Sequence, residues 1–186
     1  ASAEINTDPL AATPNADTIV GFPSDDLIDG LDGSDNINGD GGNDTLLGGL
    51  GDDTIFGGSG NDIINGGIGS DQINPGSGLD TILGTPEELD GDIFNLLDFG
   101  DLIIIEGVSS ANISVGNALI NEILIETTGD DVPEASFTWN ANFFDDVGLV
   151  AIESGGDTIL QLDPALAPSP GIGTTISGPL EFGDIG

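Results

Sequence analysis

From Ala12 to Leu83 the chain divides, without an insertion, into eight consecutive nine-residue units: ATPNADTIV, GFPSDDLID, GLDGSDNIN, GDGGNDTLL, GGLGDDTIF, GGSGNDIIN, GGIGSDQIN and PGSGLDTIL. A short fixed period is the mark of a stacked architecture, in which each repeat touches only its neighbours. Position six is Asp in every unit: Asp17, Asp26, Asp35, Asp44, Asp53, Asp62, Asp71 and Asp80. Position eight is Ile or Leu in every unit: Ile19, Ile28, Ile37, Leu46, Ile55, Ile64, Ile73 and Ile82. Position four is Gly in the last six units, with Asn15 and Ser24 in the first two.

Each fixed position has its own physical task. One unit cannot bury a lone Ile, so a core exists only when the position-eight residues of successive short strands stack. Gly in the turn permits positive φ and close backbone approach, which lets carbonyls turn toward one point. The Asp adds a charged oxygen at that point. A disordered Gly/Asp-rich linker has no use for a fixed Ile or Leu.

Charge narrows the function. The chain has 34 Asp and Glu, no Lys, no Arg and no His, for a net charge of −34. No side-chain salt bridge can form within it. With no cation to meet phosphate, nucleic acid and anionic membrane surfaces are excluded as partners. The lack of His, Cys, Lys and Tyr excludes a Ser-His-Asp triad, a Cys nucleophile, a Schiff base and the usual zinc sites, so no enzyme is expected. Carboxylates and carbonyls remain, and these suit hard cations.

Thirteen Asp fall within residues 12–83. Carboxylates brought within roughly 4–5 Å repel by several kcal/mol per pair at an effective dielectric near 20. The repeat is therefore expected to stay unfolded until divalent ions neutralise it. The 37% hydrophobic content argues against permanent disorder. No apolar run is long enough to span a bilayer. A start at Ala1 reads as a processed N-terminus.

Units 48–56, 57–65 and 66–74 follow Gly-Gly-x-Gly-x-Asp-x-apolar-x at every fixed position, and the stretch resembles the RTX (repeats-in-toxin, hemolysin-type) calcium-binding family. The resemblance implies an all-β fold: a calcium-binding right-handed parallel β-roll followed by a β-rich capping region. Two units make one coil, and Ca²⁺ sits between the turns of units n and n+2. The first turn gives carbonyls at positions two and four plus its Asp; the second gives carbonyls at positions one and three plus its Asp.

On this chain the resemblance places one site at Gly49, Gly51 and Asp53 with Gly66, Ile68 and Asp71. Another is Gly58, Gly60 and Asp62 with Pro75, Ser77 and Asp80. A third is Asp40, Gly42 and Asp44 with Gly57, Ser59 and Asp62, and a fourth is Leu31, Gly33 and Asp35 with Gly48, Leu50 and Asp53. Two early sites depart from the glycine pattern: Thr13, Asn15 and Asp17 with Gly30, Asp32 and Asp35, and Phe22, Ser24 and Asp26 with Gly39, Gly41 and Asp44. Up to six Ca²⁺ ions in the roll follow, with more possible in the cap. They would supply +12 against the −13 of the repeat. Extracellular calcium modules bind at about 10⁻⁴–10⁻³ M, a range that implies folding outside the cell.

Four domains are expected: an N-terminal arm (1–11), the roll (12–83), the β-rich cap (84–163) and a Pro/Gly-rich tail (164–186). Strands in the cap are expected at Ile93–Phe99, Leu102–Glu106, Ile113–Val115, Ala118–Thr127, Ala135–Trp139, Val147–Glu153 and Thr158–Leu162. Ser154-Gly155-Gly156-Asp157 signals a hairpin. Asn140–Asp146 reads as a helical turn or a loop. Residues 92–103 look like the segment that commonly follows RTX repeats, and Glu181–Ile185 is similar to the acidic-plus-apolar end of type I secretion substrates. The pairs Glu87/Glu88, Asp130/Asp131 and Asp145/Asp146 read as solvated loop acids, and Trp139, Phe143 and Phe144 as cap core.

The function expected is a secreted calcium-binding structural protein that folds on Ca²⁺ and self-assembles into an extracellular filament, surface layer or matrix. Self-association would run through the terminal arms or calcium bridges, and extracellular polysaccharide is a further candidate partner. The alternative is a C-terminal RTX secretion and folding module of a larger exoprotein, such as a protease, lipase or adhesin.

Overall fold

The structure is a computed structural model that describes residues 12–109, 113–115, 122–125, 133, 135–140 and 148–163. Each repeat unit contributes one short strand: β1 (Thr18–Val20), β2 (Leu27–Asp29), β3 (Asn36–Asn38), β4 (Thr45–Leu50), β5 (Thr54–Ser59), β6 (Ile63–Ile68), β7 (Gln72–Ser77) and β8 (Thr81–Gly84). Alternate strands pair in parallel, eighteen residues apart. Thr18 lies beside Asn36 and Asn36 beside Thr54 in one sheet; Leu27 lies beside Thr45 and Thr45 beside Ile63 in the other. Two units therefore make one coil, and a nine-residue step carries the chain from one sheet to the other.

The position-eight residues stack between the sheets. Ile37, Leu46, Ile55, Ile64, Ile73 and Ile82 are fully buried. Each such side chain contributes roughly 1.5–3 kcal/mol by leaving water. Ile19, in the first coil, is only partly covered.

The parallel ladder does not stop at residue 83. After a short helix, α1 (Pro86–Leu89), strand β9 (Ile93–Asn95) pairs in parallel with β7, and β10 (Leu102–Ile105) with β8. The core column continues through them: Phe94 lies beside Ile73, and Ile103 beside Ile82. Beyond these, further strands widen both sheets: β13 joins β9 in parallel, and the others join antiparallel. The first sheet adds β13 (Ala135–Asn140), β12 (Glu122–Ile125) and β11 (Ile113–Val115); the second adds β15 (Asp157–Asp163) and β14 (Gly148–Ser154). The described strands between residues 84 and 163 thus continue the two sheets of the roll.

One buried cluster runs from Ile28 through the repeats to Ala151 and Leu160, with Phe94 and Phe137 in contact at a ring-centroid distance of 4.9 Å. The expected hairpin forms between Ser154 and Asp157, with Gly155 at φ 69° and Gly156 at φ 107°. The strand expected over Ile93–Phe99 ends at Asn95, where Leu96 takes φ 57° and turns the chain. The described strand within Ala118–Thr127 is Glu122–Ile125. The two terminal arms, Asp130/Asp131, Phe143, Phe144, Asp145/Asp146 and the Trp139 side chain lie outside the described residues. Among the described residues, no helix is long and apolar enough to cross a membrane.

Candidate metal centre: two files of aspartates

The position-six aspartates precede their strands directly, so stacking the strands stacks the carboxylates. They form two files, one beside each turn of the coil. In the first file the backbone N–H of Asp17 donates to Asp35 Oδ1 (2.7 Å), Asp35 to Asp53 (2.7 Å), and Asp53 to Asp71 (2.8 Å). In the second, Asp26 donates to Asp44, Asp44 to Asp62 and Asp62 to Asp80, each at 2.8 Å. Asp26, Asp35, Asp44, Asp53, Asp62, Asp71 and Asp80 are all buried.

The second oxygen of each carboxylate is left over. Oδ2 of Asp35, Asp44, Asp53, Asp62, Asp71 and Asp80, and Oδ1 of Asp26, are buried without a hydrogen-bond partner. An ionised oxygen in that condition is costly unless a cation meets it. The position-one glycines show where these oxygens aim. A Cβ on Gly30 would strike Asp35 Oδ2 (2.6 Å) and the Gly48 carbonyl. A Cβ on Gly39 would strike Asp44 Oδ2 and the Gly57 carbonyl (2.5 Å). On Gly48 it would meet Asp53 Oδ2 and the Gly66 carbonyl, and on Gly57 Asp62 Oδ2 (2.5 Å) and the Pro75 carbonyl. At four successive units a free carboxylate oxygen and the position-one carbonyl of the next turn therefore converge where only glycine leaves room.

These four pairs fall within the four regular sites expected from the sequence. Gly21 repeats the arrangement with Asp26 Oδ2 and the Gly39 carbonyl, both 2.6 Å away. The earliest site differs: Asp17 Oδ2 already accepts from the Thr13 N–H and hydroxyl, and the Asn15 amide donates to that hydroxyl. In the second unit Phe22 N–H donates to Asp26 Oδ2 at 2.5 Å and Ser24 N–H to the Phe22 carbonyl.

The remaining turn carbonyls are placed differently. Those of Leu31 and Asp40 accept from Leu50 and Ser59 N–H; those of Leu50, Ser59, Ile68 and Ser77 accept from Gly33, Gly42, Gly51 and Gly60 N–H. Asp32 and Gly41 bridge to Leu50 and Ser59 of the next turn. The carbonyls of Gly33, Gly42, Gly49, Gly51, Gly58 and Gly60 press against the glycine two units on, where a Cβ would collide. Turn-to-turn bonds thus hold the carbonyls of positions two and three, while the Asp and the position-one carbonyl stand together. Among the described residues, no three acidic side chains gather into one metal-holding group, so a cation here needs backbone oxygens. A single carboxylate per turn backed by carbonyls is a hard-cation donor set, and Ca²⁺ fits it.

Burial, first of all, raises these carboxyls. It pushes Asp53 up to about 6 and Asp71 to about 7, opposed by the hydrogen bond from the preceding Asp N–H and reinforced by that residue's charge. Asp44, Asp62 and Asp80 are raised for the same reasons.

Sequence reasoning missed two members of the files. Asp71 N–H donates to Asp92 Oδ1 (2.9 Å) and Asp80 N–H to Asp101 Oδ1 (3.0 Å). Burial pushes Asp92 up to about 8 and Asp101 to about 6. The signal was present: Asp92-Ile93-Phe94 and Asp101-Leu102-Ile103 keep the Asp-x-apolar step, nine residues apart. A second ladder at position five was also missed. Asn43 N–H donates to Asp25, Asn61 to Asn43 and Leu79 to Asn61; Asp52 donates to Ser34 and Ser70 to Asp52. Of the acidic pairs, Glu88 closes a capping box with Thr85 at the start of α1.

The family comparison agrees with the nine-residue repeat. Residues 11–46 and 47–82 match the RTX calcium-binding nonapeptide repeat, given as 4 copies. No curated protein matches the chain. Among solved structures it is similar to the solution structure of the AlgE6R3 subunit from the Azotobacter vinelandii mannuronan C5-epimerase. Identity is 19%, 76% of this chain and 80% of that chain are covered, and the TM-score is 0.42. Over residues 11–82, then, the chain carries RTX calcium-binding nonapeptide repeats.

Proposed function

We propose that this protein is an extracellular structural protein that folds when Ca²⁺ fills the aspartate files and then self-associates into a filament, surface layer or matrix. The observation that carries the reading is the run of buried, unpartnered Asp oxygens in a chain with no Lys, Arg or His. Nothing within the protein offsets that charge, so the fold depends on an external cation. Sites of the extracellular type fill at about 10⁻⁴–10⁻³ M calcium, which keeps the chain unfolded in a low-calcium cytoplasm.

Self-association draws support from where the charge is not. The described acids concentrate on the turns. Between β3 and β10 the outward strand positions are uncharged, for example Asn36, Thr54 and Gln72 on one sheet and Leu47, Ile63 and Leu83 on the other. Copies whose turns carry bound Ca²⁺ can approach along these faces without opposing carboxylates.

The test is static light scattering and electron microscopy of the full chain at millimolar calcium, then after chelation. Calcium-dependent, reversible assemblies are expected. Dispersed monomers at millimolar calcium would remove the assembly half of the reading, and a fold indifferent to chelation would remove the whole.

A further inference from the structure

The nine-residue step is broken once. From Asp80 to Asp92 is twelve residues, and from Asp92 to Asp101 nine again. The three extra residues are taken up by α1, which brings a buried Leu89 where the repeats have a glycine turn. Leu89 Cγ and Cδ2 stand 3.1 Å from where a Cβ on Gly84 would lie.

The two files leave the repeat in different states. In one, Asp101 accepts from Asp80 N–H through Oδ1 (3.0 Å) and from Asp98 N–H through Oδ2 (2.7 Å), so both oxygens are satisfied. In the other, Asp92 Oδ1 accepts from Asp71 N–H, while Asp92 Oδ2 and Asp71 Oδ2 are both without a partner. Asp71 is 0% and Asp92 1% exposed, so neither free oxygen turns out to water. Two adjacent buried carboxyl groups thus each present a free oxygen that no cationic side chain meets.

We propose that Asp71 and Asp92 hold a further divalent-cation site at this end of the file, where the nonapeptide repeat gives way to the strands beyond it. The inference rests on the reading that the repeats themselves take calcium. Position one here is Gly84, whose carbonyl already accepts from Glu106 N–H, and α1 replaces the glycine turn that follows, so this site has fewer free carbonyls than a repeat site. Fewer protein oxygens make it weaker than the repeat sites, so it fills last.

Calcium binding to the full chain and to Asp92→Asn, by equilibrium dialysis and calorimetry, tests this together with anomalous diffraction from wild-type crystals grown with Tb³⁺. The variant is expected to bind one ion fewer per chain, losing the weakest step and keeping the others. The wild-type map is expected to show a peak beside Asp71 and Asp92. An equal ion count in the variant, or peaks in the repeats with none beside Asp92, overturns the proposal and leaves the repeat reading intact. Failure of the wild type to bind any ion overturns both. Should Asp92→Asn not fold at saturating calcium, the wild-type map decides alone.

Discussion

Asp53 shows what the fold asks of one side chain. Its Oδ1 accepts from Asp35 N–H, its own N–H donates to Asp71, and its Oδ2 has no partner although the residue is 1% exposed. Asp53→Asn should therefore act in opposite directions with and without metal. In chelator it removes an uncompensated buried charge and should increase order. With calcium it removes a charged ligand and should raise the calcium midpoint about tenfold, ~1.4 kcal/mol. Asp17→Asn should shift the midpoint less, because Thr13 already occupies its Oδ2. Calorimetric titration of both variants checks the contrast. Acidity gives a second prediction. The raised carboxyls, Asp53 and Asp101 at about 6, Asp71 at about 7 and Asp92 at about 8, favour the protonated folded form. Their stabilisation of the metal-free chain is complete below the ordinary carboxylate range, about pH 4, and is lost as pH rises through 6–8. Circular dichroism in chelator should show order at pH 4 that melts across that window, and calcium affinity should rise across the same window as protons cease to compete.

Among the elements, the turns are the least tolerant of change. Gly60 sits at φ 131° with the Gly42 carbonyl where a Cβ would stand, whereas Gly155 sits at φ 69° in open space. Gly155→Ala should cost about 1–2 kcal/mol, the price of left-handed backbone. Gly60→Ala adds a collision with a backbone oxygen, and its thermal midpoint in calcium should fall well below that of Gly155→Ala. The coil geometry was legible in the sequence because Asp and the apolar residue recur at one spacing, and the hairpin because two glycines accept positive φ. The end of the roll was not. A strict nine-residue period breaks at α1, and only the strand register shows Phe94 and Ile103 rejoining the columns of Ile73 and Ile82. Of the expected metal donors, the Asp and position-one carbonyls stand together, while the carbonyls of Leu50 and Ile68 are held by neighbouring turns, a difference that residue types do not reveal.

At the scale of the whole molecule, one core joins the repeats to the strands beyond them, so calcium in the turns and order in residues 84–163 should be coupled. Trp139, the sole tryptophan, lies in β13 in register with Phe94. Its fluorescence should change at the same calcium concentration as the far-ultraviolet circular dichroism, although no repeat unit contains it. Two separate midpoints would mean that the antiparallel strands fold without the roll. The most direct measurement of the central claim is the far-ultraviolet circular dichroism of the full chain near pH 8, first in excess EGTA and then with millimolar calcium. A disordered spectrum that converts to a β spectrum on adding calcium is the predicted result; a β spectrum already complete in EGTA would contradict it.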